Sequence, residues 1–365
     1  MVITQVEPAR EAAALPEASQ NLRVHFESLD VQGNPIVETG LVHVPHGRPP
    51  VTGWPVASFG HMTTGGSDYA APSLASFGHP ELRRMTQGDA FIARLLERGI
   101  AVVRPDYEGI GSSGTHPYLI GPSLARSVID LVVAASAEFG FSRQWLSTGH
   151  SEGAVAALWA ASLAGQDEAI ADAEVDLAGV CAFTPVTRMD VSIGFSLRVP
   201  FVVPGWEVVS PLIVLMLSGA ATVDPHMRAL LEGSGLSEAA RAIWGHLGER
   251  SLVELSRSDS FGAIAPSRLL TDAKTERAEI KKRLFDSFRR NEVADLSFPA
   301  GTRMRVEAAR FDEVAPLWLT ARALGQWESG GVDLSRRWWN ASHSPVLRED
   351  RAPVGAADWC VSLLR

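Results

Sequence analysis

The chain has two cysteines, Cys181 and Cys360, far apart and each set among apolar residues. That excludes a disulfide-dense scaffold and reads as two buried free thiols, so folding does not depend on an oxidising compartment. An excess of positive charge is missing as well. Lys and Arg number 33 against 42 Asp and Glu, a formal charge of −9. Such a balance attracts neither nucleic acid nor an anionic membrane surface. No apolar run has the length of a comfortable membrane span. The most apolar stretch, residues 208–223, is interrupted by Pro211 and Ser218 and reads as a buried helix or a lid. The first 20 residues carry Glu7, Arg10, Glu11 and Glu17 and no apolar run of signal-peptide type. The expected location is therefore cytoplasmic, or secreted if a leader has been removed. There is no H-E-x-x-H, no C-x-x-C, no P-loop, and no G-x-G-x-x-G opening a helix after a strand. No metal or cofactor is expected. Internal repeats and low-complexity segments are absent too.

What remains is an ordinary globular composition, 46% hydrophobic and 21% charged over 365 residues. That length allows one large domain with an insertion, or two domains, and is ample for a full hydrophobic core. Residues 1–20 read as a polar arm. Alternation and turn signals between 22 and 44 predict antiparallel strands. Short strands at 55–59, 100–104, 144–148 and 177–183 then alternate with helices at 89–98, 123–135 and 152–163. Such alternation means βαβ units, a mostly parallel sheet and helices on both faces. From 186 to 299 the alternation stops, and the segments are helical. The basic side of 274–290 is interrupted by Glu276, Glu279 and Asp286, as on a solvated helix face. Strands return at 303–307 and 332–339, with helices at 316–327 and 352–364. The expected architecture is an α/β core over 21–185 and 300–365, a mostly parallel sheet with helices on both faces, carrying a helical cap or lid at 186–299.

Gly149-His150-Ser151-Glu152-Gly153 matches G-x-S-x-G between an expected strand and an expected helix. A nucleophile elbow needs that context, because the glycines permit a strained turn that exposes the serine at the sheet edge. A serine hydroxyl needs a base. Of the later histidines, His226 and His246 fall in the helical insertion, whereas His343 follows the last expected strand. For the acid, Asp312 and Glu313 compete after the strand at 303–307, with Asp333 and Glu328 as weaker alternatives. An oxyanion needs two backbone donors. The amide of Glu152 is one candidate, and Thr63 in the glycine-rich loop 60–66 is the other. Asp106, after the strand at 100–104, is expected to tie loop backbone together.

At these residues the chain resembles the secretory lipase family of α/β-hydrolases. His61-Met62-Thr63-Thr64-Gly65 stands where the family has H-G-T-x-G, and residues 68–73 end in a similar A-P-S. Asp106-Tyr-Glu-Gly-Ile-Gly111 with His116-Pro-Tyr-Leu119 is similar to the family's D-Y-x-G-x-G and H-P-Y-L pair. Asp312-Glu-Val-Ala-Pro316 looks like the family's D-x-V-x-P, which carries the acid. Met62 replaces a family glycine, and Ala70 stands where many relatives have cysteine. The resemblance implies an esterase or lipase with Ser151 as nucleophile, Asp312 as acid and His343 as base. The substrate would be a small-molecule or lipid ester with an apolar acyl group, bound by Phe195, Phe201, Trp206, Leu212 and Ile213 of the cap. Acyl transfer or peptide cleavage by the same triad, or an inactive fold used for binding, are the alternative readings.

Overall fold

The computed structural model of the protein describes residues 1–172 and 175–364. Residues 173, 174 and 365, inside the expected core ranges, lie outside the described residues. The strands are β1 (Ile3–Pro8), β2 (Ala18–Leu29), β3 (Pro35–Pro45), β4 (Val56–Gly60), β5 (Ala101–Pro105), β6 (Gln144–His150), β7 (Asp176–Phe183), β8 (Arg303–Ala309) and β9 (Asp333–Trp339). They form one sheet in the order β1-β2-β3-β5-β4-β6-β7-β8-β9. The pairs β1–β2, β2–β3 and β3–β5 are antiparallel, and all pairs from β5–β4 to β8–β9 are parallel. This is the mixed, mostly parallel sheet of an α/β-hydrolase.

The parallel strands are short and apolar on both sides because both faces are covered. Val56, Val103, Val180 and Val306 point to one face, which is packed by α2 (Gly121–Phe139), α3 (Glu152–Leu163) and α8 (Leu317–Ser329). The alternate residues Ala57, Val102 and Cys181 point to the other, under α1 (Asp89–Leu96) and α9 (Ala352–Leu363). This period of two along each strand puts successive side chains into different cores. Cys181 and Cys360 are both buried free thiols.

The polar arm expected at 1–20 is not free. Its residues 3–8 form β1, the sheet's edge, with Val6 opposite Val24. Most of β1 is exposed, so it is held by backbone pairing. Such a strand carries no hydrophobic alternation for a sequence reading to detect.

Between β7 and β8 the described residues add no strand to the sheet. They include α4 (Met189–Ser196), α5 (Val209–Val223), α6 (Pro225–Glu232) and α7 (Lys274–Arg290). The Asp224 side chain caps α6 by accepting from the His226 and Met227 amides, both at 3.0 Å. On α7, Ile280, Leu284 and Phe288 form a buried stripe four residues apart, and the charged residues take the other side. The apolar residues of α5 and α7 join the same core as α2 and α3.

One buried group makes stability depend on pH. Glu38 of β3 is fully buried and neither carboxyl oxygen has a hydrogen-bond partner. The nearby hydroxyls of Ser28 and Ser127 donate instead to Asp130 Oδ2 and the Ser123 carbonyl. Burial, reinforced by the neighbouring carboxyls Asp130 and Glu108, pushes the Glu38 pKa up from 4.5 to about 8. The folded protein then keeps a proton that the unfolded chain has released. This contribution to stability is complete below the unfolded value and is lost as pH rises through the folded one. Asp89 and Asp130 are raised to only about 6, so of these three Glu38 alone keeps its proton well above that. From roughly pH 6.5 to 8, Glu38 should lower stability by about 1 kcal/mol per pH unit, the slope flattening as pH reaches its folded value. Glu38→Gln should remove that slope, as urea unfolding at the two pH values would show. An unchanged slope in the variant would exclude Glu38 as its source.

Candidate active site

The carboxyl ends of the parallel strands share one edge of the sheet, the usual place for a site in this architecture. There Ser151 turns the chain from β6 into α3 with φ 58° and ψ −115°, a strained conformation for a residue with a side chain. The close approach depends on two glycines. A Cβ on Gly149 would strike the Gly153 carbonyl, and one on Gly153 would strike the Gly60 carbonyl at the end of β4. The Ser151 amide donates to the Phe183 carbonyl of β7 at 3.0 Å, and its carbonyl accepts from the Ala154 amide at 3.0 Å. The turn is therefore held from both sides, independently of the serine side chain.

His343 sits in the loop after β9. Its Nε2 lies 2.8 Å from Ser151 Oγ, and its Nδ1 lies 2.9 Å from both Asp312 carboxyl oxygens. A carboxylate can only accept, so the neutral ring carries its hydrogen on Nδ1 and offers the Nε2 lone pair to the serine hydroxyl. Ser151 is 6% exposed and His343 3%. Asp312 is itself anchored, because its Oδ1 accepts from the amides of Val314 at 2.9 Å and Ala315 at 2.6 Å. Its competitor Glu313 reaches the same histidine differently: Glu313 Oε2 accepts the His343 backbone N–H at 3.1 Å. Asp333 is exposed at the start of β9, and Glu328 pairs with Arg336 at 3.3 Å. His226 is exposed, and His246 lies 3.0 Å from the Ser260 hydroxyl.

Glu152 is the first residue of α3, where an amide has no intrahelical acceptor. Thr63 follows β4, and its hydroxyl lies 2.8 Å from Tyr118 Oη. Met62, in place of the family glycine, is buried, and its sulfur accepts from Ser344 Oγ at 3.9 Å. Asp106 ties its loop to strand β3 and to the segment around Ser73, accepting from Thr39 Oγ1 at 2.7 Å and from the Ser73 amide at 2.9 Å.

Sequence reasoning passed over three other groups here. His150 is buried with neither ring nitrogen bonded, and its ring lies 5.1 Å from that of His343. Burial, followed by the repulsion of a charged His343, holds its pKa well below the usual histidine range. His116 bonds the Glu152 carboxyl, and Tyr118 bonds Thr63. Both belong to the H-P-Y-L segment, a signal that was present in the sequence without a role attached.

The five expected acyl-binding residues do not come together as one pocket. Phe195, Phe201 and Trp206 are 65%, 61% and 48% exposed. Phe201 and Trp206 line a cavity of about 10 Å³ whose other walls, such as Val199, Val209 and Pro266, also come from segment 186–299. Ile213 is fully buried core, and Leu212 packs half-buried against it. Apolar character marked these side chains, but it carries no information about which side of the cap each one takes. Leu215 of α5 is one residue of segment 186–299 that meets the loop 60–66. A Cβ on Gly66 would lie 3.0 Å from its Cδ2. Residues 250–253 also tie segment 186–299 to that loop. The Leu252 amide donates to the Thr64 carbonyl at 2.7 Å, and Gly65 pairs with Ser251. Among the described residues, no group of three or more His, Cys, Asp or Glu side chains could hold a metal ion.

Comparison with solved structures places the fold. Lipase A of Candida antarctica superposes with a TM-score of 0.75 at 16% identity, over 94% of this chain and 77% of that one. The rice cell-wall-degrading esterase of Xanthomonas oryzae superposes with a TM-score of 0.69 at 17% identity, over 100% of this chain and 98% of that one. A search of curated protein sequences finds no match. The family model described as secretory lipase matches residues 81–335. That description does not support the cytoplasmic location expected from the sequence. Among the described residues, no helix is long and apolar enough to cross a membrane. Because the family match spans well over half of the chain, the protein belongs to the secretory lipase family and is a carboxylic-ester hydrolase.

Proposed function

We propose that the ester is cleaved through an acyl-enzyme on Ser151, with His343 as the base and Asp312 as its orienting acid. The observation that carries this reading is the continuous hydrogen-bonded line from Ser151 Oγ through His343 to Asp312. Ser151 Oγ attacks the ester carbonyl while its proton passes to His343 Nε2. Asp312 stabilises the imidazolium so formed. The backbone amides of Glu152 and Thr63 receive the oxyanion. The imidazolium then protonates the leaving alkoxide. A water molecule, deprotonated by the same ring, releases the acid and restores the serine.

Residues 186–299 act as the cap over this site. The acyl group is apolar and lies against the underside of α5, near Leu215, rather than against Phe201 or Trp206. The burial of Ser151 and His343 supports a site bounded by cap side chains. A fluorophosphonate probe should label the native protein once, on the peptide carrying Ser151, and abolish release from p-nitrophenyl esters. Labelling of a different residue with full retention of turnover would overturn the assignment.

A further inference from the structure

The two proposed oxyanion donors are linked to one short segment, residues 116–118, that lies outside the triad. His116 Nε2 is 2.8 Å from Glu152 Oε1, and both side chains are 1% exposed. Tyr118 Oη is 2.8 Å from Thr63 Oγ1. We propose that His116 and Tyr118 are positioning residues that hold the two oxyanion donors from a single rigid turn. This inference rests on the serine mechanism above.

The turn is well suited to the task. Pro117 restricts its own φ. The Tyr118 amide donates to the His116 carbonyl at 2.8 Å, and the Ile120 amide donates to the Pro117 carbonyl at 2.9 Å. Leu119 takes a left-handed φ of 58° two residues before α2. Gly109, at φ 73°, packs so closely that a Cβ there would strike the His116 backbone. From above, Gly219 of α5 meets the Tyr118 backbone with no room for a side chain. The segment is thus fixed by the loop after β5 beneath it and by the cap above.

Charge gives His116 a second role. Its Nδ1 lies 2.8 Å from the Glu108 carbonyl, which can only accept, so Nδ1 carries a hydrogen. A bare Nε2 lone pair facing a carboxylate oxygen at 2.8 Å would be repulsive, so one further proton lies between His116 and Glu152. The pair is net neutral. Without that proton a buried carboxylate would stand one residue from Ser151, where the oxyanion develops, and would oppose it. Glu152 Oε2 is buried without a partner, so no other group among the described residues bonds that oxygen.

Tyr118→Phe keeps the ring and removes only the bond to Thr63. It should lower kcat about tenfold with KM within about twofold, and His116→Asn should lower kcat about a hundredfold. Affinity for a boronic acid, which mimics the tetrahedral intermediate, should fall in proportion to kcat. A merely structural role would lower the melting temperature and leave the kcat-to-KM split and the boronate affinity unmoved. If His116→Asn does not fold, Tyr118→Phe and Thr63→Val decide. Their double variant should be no worse than either single one, because both remove the same bond. Full kcat in Tyr118→Phe, or additive losses in the double variant, would overturn the inference. Ser151→Ala, assayed alongside, separates the two readings. If it is active, the serine mechanism itself fails. If it is inactive while Tyr118→Phe is unimpaired, only the positioning role fails.

Discussion

Ser151→Ala should lower ester turnover by about six orders of magnitude, the size of loss seen when an acylating serine is removed. The remaining parts, the backbone amides and the cap, would still bind ester but could not form the acyl-enzyme. The fold should survive. The strained φ of 58° is already borne by a residue with a Cβ, so alanine adds no new backbone cost. The elbow is held by the Ser151 amide and carbonyl, bonded to Phe183 and Ala154, and not by the hydroxyl. The variant should therefore melt within a few degrees of the native protein, about the shift of a 1 kcal/mol change or less. The measurement is p-nitrophenol release from a short ester with a melting curve on the same sample. Turnover above about one per cent of native in a folded variant would exclude Ser151 as nucleophile.

The second large effect is expected at Asp312, where Asp312→Asn should cost up to about four orders of magnitude in kcat with little change in binding. The anchoring of Asp312 makes the direction specific. Its Oδ1 accepts from the Val314 and Ala315 amides, so an asparagine must place its oxygen there. Its NH2 group then takes the place of Oδ2, 2.9 Å from His343 Nδ1, and competes there with the remaining oxygen, which lies at the same distance. Wherever the NH2 group donates, the ring hydrogen moves to Nε2 and Ser151 loses its base. Glu313→Gln tests the alternative acid, since the amide oxygen can still accept the His343 backbone N–H. Its loss should be no more than about threefold, the scale of one retained neutral hydrogen bond. The reverse pattern, a disabled Glu313→Gln beside an active Asp312→Asn, would make Glu313 the acid.

Much of this was legible in the chain because it is local. The apolar runs at 100–104 and 144–148, the helices between them and the Gly149–Gly153 turn each depend on a few neighbouring residues. The edge strand β1 was missed because backbone pairing, not burial, holds it. The cap segment 195–206 was misread because apolar side chains look alike whether they face the site or the solvent.

By itself, the sequence determined the alternation of strand and helix, the serine set between two glycines, and the order of Ser151, Asp312 and His343 along the chain. A period of two or 3.6 and a tight turn are properties of consecutive residues. Resemblance in the chain favoured Asp312 over Glu313, but only the fold shows how a carboxyl meets His343 across 31 residues, how Tyr118 reaches Thr63 across 55 and how His116 reaches Glu152 across 36. Adjacent carboxyls such as Asp312 and Glu313 have the same chemistry and nearly the same position in sequence. Their roles part only when β8 and β9 pair in register and carry the loops of 312 and 343 to the same sheet edge, where one side chain points at the ring and the other at the backbone.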